Sequence, residues 1–273
     1  MPKSAITVSL VPEAVGGPFV FWNGLEDACI EAARIGLDAV EIFAPDGQTI
    51  RELPLSRLLD QYPLEIAAFG TGAGMVKYGL SLSHPDDSHR LRARQFVQSI
   101  IEAAAAWKAP VILGSMQGRW TQECDRSRTL SLLRDSLNQL GAFAKDHGIA
   151  LLYEPLNRYE TNLINTLGEA VTLIESLEVP NVRLLADLFH MNIEEADMAR
   201  ALSAAMRYVG HIHLADSNRQ AAGLGHTPLE PIAQVLRLAG YEGYLSAEVF
   251  PKPDATTAAA MTFRTFQRHF VFT

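Results

Sequence analysis

A chain of 273 residues, 48% hydrophobic and 20% charged, is long enough to bury one sizeable core and too apolar for disorder, collagen-like repeats or coiled coil. Its 31 acidic against 23 basic residues give a formal net charge of -8 with no local basic stripe, so a nucleic-acid partner is not expected. No apolar run approaches the roughly 18 to 20 residues that cross a bilayer, and Met1-Pro2-Lys3-Ser4 opens no signal-peptide core; no membrane partner is expected, and the expected location is cytoplasmic.

In chain order, short β-branched runs alternate with amphipathic stretches from one end to the other. Strands are predicted over 6–10, 39–43, 65–69, 111–115, 150–154, 183–187, 211–215 and 244–249. Helical stretches follow them, such as 88–107, with Leu91, Phe96 and Ile100 at helical spacing, and 166–177. Eight βα units at about 34 residues each predict an α/β fold, a (β/α)8 TIM barrel formed as a single domain over 1–273. A doubly wound sheet is the alternative, but the stretch after the first strand, Val11-Pro12-Glu13-Ala14-Val15-Gly16-Gly17-Pro18, lacks its GxGxxG phosphate loop. The Gly/Pro-rich stretches 70–79 and 223–231 fall between strand and helix and read as loops of the active face. Cys29 and Cys124 lie far apart without a CxxC or zinc-finger spacing and are expected to be reduced, inert thiols.

Barrel chemistry collects where strands end, and the last four predicted strands close on Glu154, Asp187, His213 and Glu248. Their separations of 33, 26 and 35 residues are about one βα unit each, which brings the four side chains to similar height. Same-face neighbours Leu152, Leu185, His211 and Ser246 form a mostly apolar layer beneath. Three converging carboxylates over such a floor would raise one another's pKa or need a cation, so a divalent metal is expected. An oxygen-rich set with one imidazole suits Mn2+ first, with Mg2+, Co2+ or Zn2+ also able to bind. Singly, each residue reads better as an exposed loop carboxylate or a core histidine than as a ligand; all four at equivalent ends favour the metal.

Glu160, His190 and Arg219 follow three of these residues by six, three and six positions, where barrel loops supply a substrate shell. In the N-terminal half, Phe19, Phe21 and Trp22 follow the first strand, Lys77 lies in the Gly-rich loop after the third, and Arg119 and Trp120 follow the fourth. Aromatics there suit stacking on a sugar, and Lys77 or Arg119 suits a carboxylate or phosphate, while packing between loops or against a partner subunit is an equal reading for the aromatics. His226 reads as surface and His211 as a satisfied core histidine.

The motifs themselves resemble a family. The run Glu154-Pro155-Leu156-Asn157-Arg158-Tyr159-Glu160, with Asn165-Thr166 beyond, is similar to a signature of ketose 3-epimerases of the D-tagatose/D-psicose type, as are Asp187-Leu188-Phe189-His190-Met191-Asn192-Ile193-Glu194-Glu195 and His211-Ile212-His213 through Asn218-Arg219 with the Gly223/Gly225 pair. The resemblance is tight in the C-terminal half and places the chain in the xylose isomerase-like superfamily of sugar isomerases and epimerases. It implies that Glu154, Asp187, His213 and Glu248 hold one divalent metal. It also implies a carbohydrate-metabolism isomerase or epimerase in which Glu154 and Glu248 act as acid and base on a ketose or related oxo-sugar through a metal-bound cis-enediolate. His190 and Arg219 would grip substrate oxygens and Glu160 would fix a hydroxyl. A small sugar is the implied partner, and related barrels form homodimers or homotetramers. Three segments depart from the epimerase pattern: Leu214-Ala215-Asp216, His226-Thr227-Pro228-Leu229 and Ser246-Ala247-Glu248-Val249-Phe250. They leave open a metal-dependent lyase, a dehydratase or deglycosidase acting on a 3-oxo sugar, glycoside or cyclitol. An abasic-site endonuclease, disfavoured by the eight histidines and acidic charge, and a non-catalytic sugar-binding barrel are further readings.

Overall fold

In a computed structural model, which describes residues 1–271, eight parallel strands close into a barrel in sequence order. They are β1 Lys3–Ser9, β2 Ala39–Phe43, β3 Glu65–Gly70, β4 Val111–Leu113, β5 Leu151–Tyr153, β6 Val182–Asp187, β7 Val209–His213 and β8 Tyr244–Ala247. Pairing of Ala5 with Ser246 closes β1 on β8. The TIM-barrel expectation holds, with β2 bounded as predicted. Strands β4, β5, β7 and β8 end one or two residues earlier than predicted, where the chain turns into the upper loops.

The outward face of the strands packs on the helices in one continuous core that runs from Ile6 and Val8 through Leu137 and Leu140 to Phe266 and Phe270. Helix starts are fixed locally: the side chains of Asp86, Asp125, Thr166 and Asp254 each accept the backbone N–H three residues on, satisfying a donor the helix leaves unpaired. Helix Asp87–Ala105 buries Val97, Ile100 and Ile101, whereas Leu91, placed on the apolar face by its spacing, is exposed.

Inside, the barrel is layered. Ala5, Ala39 and Ala67 fill the bottom against Tyr244, and Phe43, Ala68, Ile112, Leu152 and Leu185 form an apolar cluster higher up. The expected apolar layer is therefore present under β5 and β6 but not under β7, where His211 meets the fully buried carboxylate of Glu41. Register shifts at Val40/Glu41 and Leu184/Leu185 fall beside these inner residues. No helix among the described residues is long and apolar enough to cross a membrane.

Candidate active site

At the strand ends, one ligand atom each from Glu154, Asp187, His213 and Glu248 lies within 4.8 Å of all the others. The four are buried, at 6%, 1%, 0% and 6% exposure, so neither water nor distance relieves the mutual repulsion of the three carboxylates. Nδ1 of His213 stands 3.1 Å from Asp187 Oδ2, 3.3 Å from Glu248 Oε2 and 3.4 Å from Glu154 Oε1. Its other nitrogen, Nε2, is 3.0 Å from Glu41 Oε1. Burial pushes the His213 imidazole toward neutrality, but Glu41, Asp187 and Glu154 outweigh it and hold its pKa well above the usual histidine range.

Each carboxylate is positioned by its own strand end. Asp187 closes β6 and divides its oxygens: Oδ1 accepts the backbone N–H groups of Phe189 and His190, capping helix Leu188–Glu194, while Oδ2 faces the cluster. Burial would raise its pKa, but the charge of Arg219 and the bond to His213 hold it well below the usual carboxylate range. Glu154 has room because residue 114 is glycine; a Cβ there would stand 2.5 Å from Glu154 Oε2. Gln117 braces the same corner, donating to the carbonyls of Gly114 and Glu154 and accepting the Tyr153 hydroxyl at 2.7 Å.

Above the cluster opens a cavity of about 340 Å3, lined by Glu154, Glu248, His190, Arg219 and Glu160 together with apolar side chains, among them Phe19, Val76, Phe189 and Phe250. Arg219 is buried and in the left-handed backbone region at φ 58°, with its guanidinium on Asp187 Oδ2 at 2.6 Å and on Glu248, 4.8 Å from the Phe189 ring. The loop that carries it is tied to Asp216, whose carboxylate accepts the N–H groups of Ser217, Gly223 and Thr227. His190 Nδ1 receives the backbone N–H of Asn157 at 3.3 Å and faces its side-chain amide at 2.7 Å, so the ring proton belongs on Nε2, 3.7 Å from Glu154 Oε1. The Asn157 amide also donates to Glu160 at 2.9 Å.

Two predicted substrate-shell residues are not brought to this cavity. Lys77 lies outside its lining, on a short helix Ala73–Tyr78 where a loop is predicted, 3.6 Å from Glu13 and 5.5 Å from the Tyr78 ring; Thr71, Gly72, Ala73 and Val76 line the cavity from this segment instead. Trp120 is 38% exposed and holds the carbonyl of Asn162 through its indole N–H at 3.0 Å, while Arg119 bonds the carbonyls of Tyr159 and Glu160. These residues tie one loop to the next. Phe19 does line the cavity, Phe21 bridges to Val8 in the core, and the Trp22 indole donates to the Phe19 carbonyl. His226 is exposed.

Sequence reasoning missed Glu41, Asn157 as a histidine partner, and the phenyl wall of Phe189 and Phe250. A signal existed for Glu41, a lone charge inside the apolar run Ala39-Val40-Glu41-Ile42-Phe43. His211 is a buried core histidine as expected, satisfied at Nε2 by Glu41 at 2.6 Å, while its Nδ1 has no hydrogen-bond partner.

With this geometry in view, comparison with known proteins finds that the family described as xylose isomerase-like TIM barrel matches residues 29–266. Curated relatives include D-psicose 3-epimerase of Ruminiclostridium cellulolyticum, 29% identical over 238 residues, covering 84% of this chain and 79% of the relative. A 3-dehydro-D-guloside 4-epimerase of Escherichia coli is 37% identical over 117 residues, 43% of this chain and 45% of the relative. Among solved structures, a 3-keto-D-glucoside 4-epimerase from E. coli superposes with a TM-score of 0.82 at 22% identity, covering 98% of this chain and 100% of that one, a likeness of fold.

Proposed function

The chain belongs to the xylose isomerase-like TIM barrel family, and from that premise we propose that it is a divalent-metal-dependent epimerase or isomerase of a ketose or a related oxo-sugar. The observation that carries the proposal is the meeting of Glu154 and Glu248 with Asp187 and His213 at the floor of a sugar-sized cavity. The donor set fits a cation: three buried carboxylates and an imidazole nitrogen point at one another, and the imidazole's second nitrogen is already committed to Glu41. Mn2+ is the proposed ion. Held by these four residues, it would supply Lewis acidity toward the carbonyl oxygen and adjacent hydroxyl of an open-chain substrate.

Glu154 and Glu248 would serve as the proton-transfer pair. They enter the cavity from β5 and β8, three strands apart around the barrel, which suits removal of the proton beside the carbonyl by one and delivery of a different, solvent-derived proton to the opposite face by the other. His190 would present its Nε2–H to a substrate oxygen, and Arg219 would steady oxygens beside the reacting carbon, stacked against Phe189. Glu160, held by Asn157 at the cavity wall, would fix a hydroxyl. Lys77, on the helix Ala73–Tyr78, and Trp120, on the loop after β4, would enter this shell only through movement of those segments. The whole chain would act as one catalytic domain in the cytoplasm, as a homodimer or homotetramer.

The relatives named as acting on a free ketose and on a 3-dehydro-glycoside define the panel to test. Protein loaded with Mn2+ is incubated with ketoses and 3-oxo-glycosides and the products are followed by NMR. An epimer or positional isomer with every substituent retained supports the proposal. Loss of a group from the carbon next to the acidified one would identify a lyase, and no turnover of any panel member would contradict the assignment.

A further inference from the structure

Beneath the proposed metal centre lies a buried charged group that the reaction outlined above does not use. Glu41, at the middle of β2, has 0% exposure and sits inside the barrel with β7 across from it. Its two oxygens are divided between two imidazoles: Oε2 is 2.6 Å from His211 Nε2 and Oε1 is 3.0 Å from His213 Nε2. One ligand atom each from Glu41, His211 and His213 also lies within 4.8 Å of the others, but the carboxylate–imidazole separations are those of hydrogen bonds, and both histidines meet the carboxylate through Nε2. The trio is therefore a hydrogen-bonded group and not a second ion site.

We propose that Glu41 is a positioning residue for the metal centre, fixing His213 in the Nε2–H tautomer so that its Nδ1 lone pair is delivered to the ion. The inference rests on the metal-centre reading above. Three observations carry it. A carboxylate with no hydrogen to give can only accept, so the nitrogen facing Glu41 keeps its proton when an ion arrives and the opposite nitrogen, Nδ1, is the one that gives up its proton to the ion. That opposite nitrogen is the one that stands within 3.1 to 3.4 Å of Asp187, Glu248 and Glu154. Finally, burying a carboxylate in the middle of a parallel barrel is costly unless it is paired, and His211 supplies the second partner that satisfies its other oxygen. His211 thus supports Glu41, and Glu41 orients His213, a carboxylate–histidine–metal arrangement built across β2 and β7.

The test measures Mn2+ binding by calorimetry on the unaltered protein, Glu41→Gln and, as a control in the same layer, Ser246→Ala, whose hydroxyl has no hydrogen-bond partner. Glu41→Gln is expected to raise the Mn2+ Kd by about 10- to 100-fold, with Ser246→Ala unchanged. If Glu41 served only to brace the barrel, the melting temperature of the metal-free variant would fall while the Kd of the folded protein stayed put. A Kd for Glu41→Gln within about twofold of the unaltered protein overturns the inference and leaves the metal centre standing. Absence of Mn2+ binding by the unaltered protein removes both. If Glu41→Gln does not fold, the unaltered protein still decides: 15N spectra of the histidine rings with Mg2+ bound should show His213 protonated at Nε2, and a proton on Nδ1 overturns the inference.

Discussion

Gly114 gives Glu154 its place: at the end of β4 a side chain of even one carbon would stand 2.5 Å from Glu154 Oε2, well inside van der Waals contact. Gly114→Ala should therefore act on the reaction rather than on the barrel. Displacing a proton-transfer group by about 1 Å costs on the order of 100-fold in turnover, and we expect a loss of about that size in kcat. Circular dichroism should remain that of the folded barrel. Turnover within about threefold of the unaltered protein would mean that Glu154 has a second productive position.

Metal binding should be proton-linked. Burial disfavours the charged imidazole of His213, yet Glu41, Asp187 and Glu154 raise its pKa well above the ordinary value, so an incoming cation must displace a proton from Nδ1. Mn2+ affinity is expected to fall as pH falls, by up to about tenfold per pH unit for one displaced proton. Calorimetry in buffers of different ionisation enthalpy checks this directly, since the released proton appears in the measured heat.

Removing the ion should cost stability. At a Mn2+ concentration about 100 times its Kd, binding to the folded state alone adds roughly 2.7 kcal/mol. EDTA treatment should accordingly lower the melting temperature, and Mn2+ should restore it. Glu154→Gln and Asp187→Asn should blunt the restoration, because each replaces a charged donor in the cluster by a neutral one.

Asp216 anchors the loop that places Arg219. Burial pushes its carboxyl up, but the N–H groups of Thr227, Ser217, Gly225 and Gly223 more than offset that, leaving its pKa below the usual aspartate range. A carboxyl depressed on folding contributes stability that is fully present above the unfolded value near 3.9 and is lost as pH falls through the folded one. Asp216→Asn should then cost about 1 to 3 kcal/mol at neutral pH, and progressively less below about pH 4, as read from urea midpoints. It should also lower kcat/KM, since Arg219 is held in the left-handed region by this loop.

Cys29 should be inert. Burial, assisted by the Glu26 charge, pushes its thiol up to about 11, and it has no exposed surface. Native protein should show no labelling of Cys29 by a thiol reagent in the time that denatured protein labels fully.

Much of this architecture is written at the strand ends. Glu154, Asp187, His213 and Glu248 were readable because the βα repeat fixes their height, and a polar residue closing a buried strand is conspicuous against an apolar run. His190, Arg219 and Glu160 followed from their offsets on the next loops. What spacing does not encode is how a loop folds back. Lys77 sits on the short helix Ala73–Tyr78 after β3 and Trp120 on the loop after β4, and their side chains are taken up by Glu13 and Asn162, partners 64 and 42 residues away in the chain. Glu41 escaped for a different reason. Its partners His211 and His213 are on β7, and a contact between strands on different sides of a closed barrel leaves no local pattern to read.

In the proposed reaction Glu154 and Glu248 act as two distinct groups, one removing the substrate proton and the other delivering a new one. The most direct test runs the reaction in D2O on the best panel substrate and measures deuterium separately in product and in recovered substrate at low conversion. Two-group transfer predicts one solvent deuterium at the inverted carbon of the product and almost none in the recovered substrate. Deuterium accumulating in both pools at equal rates, or product formed without solvent deuterium, would contradict it.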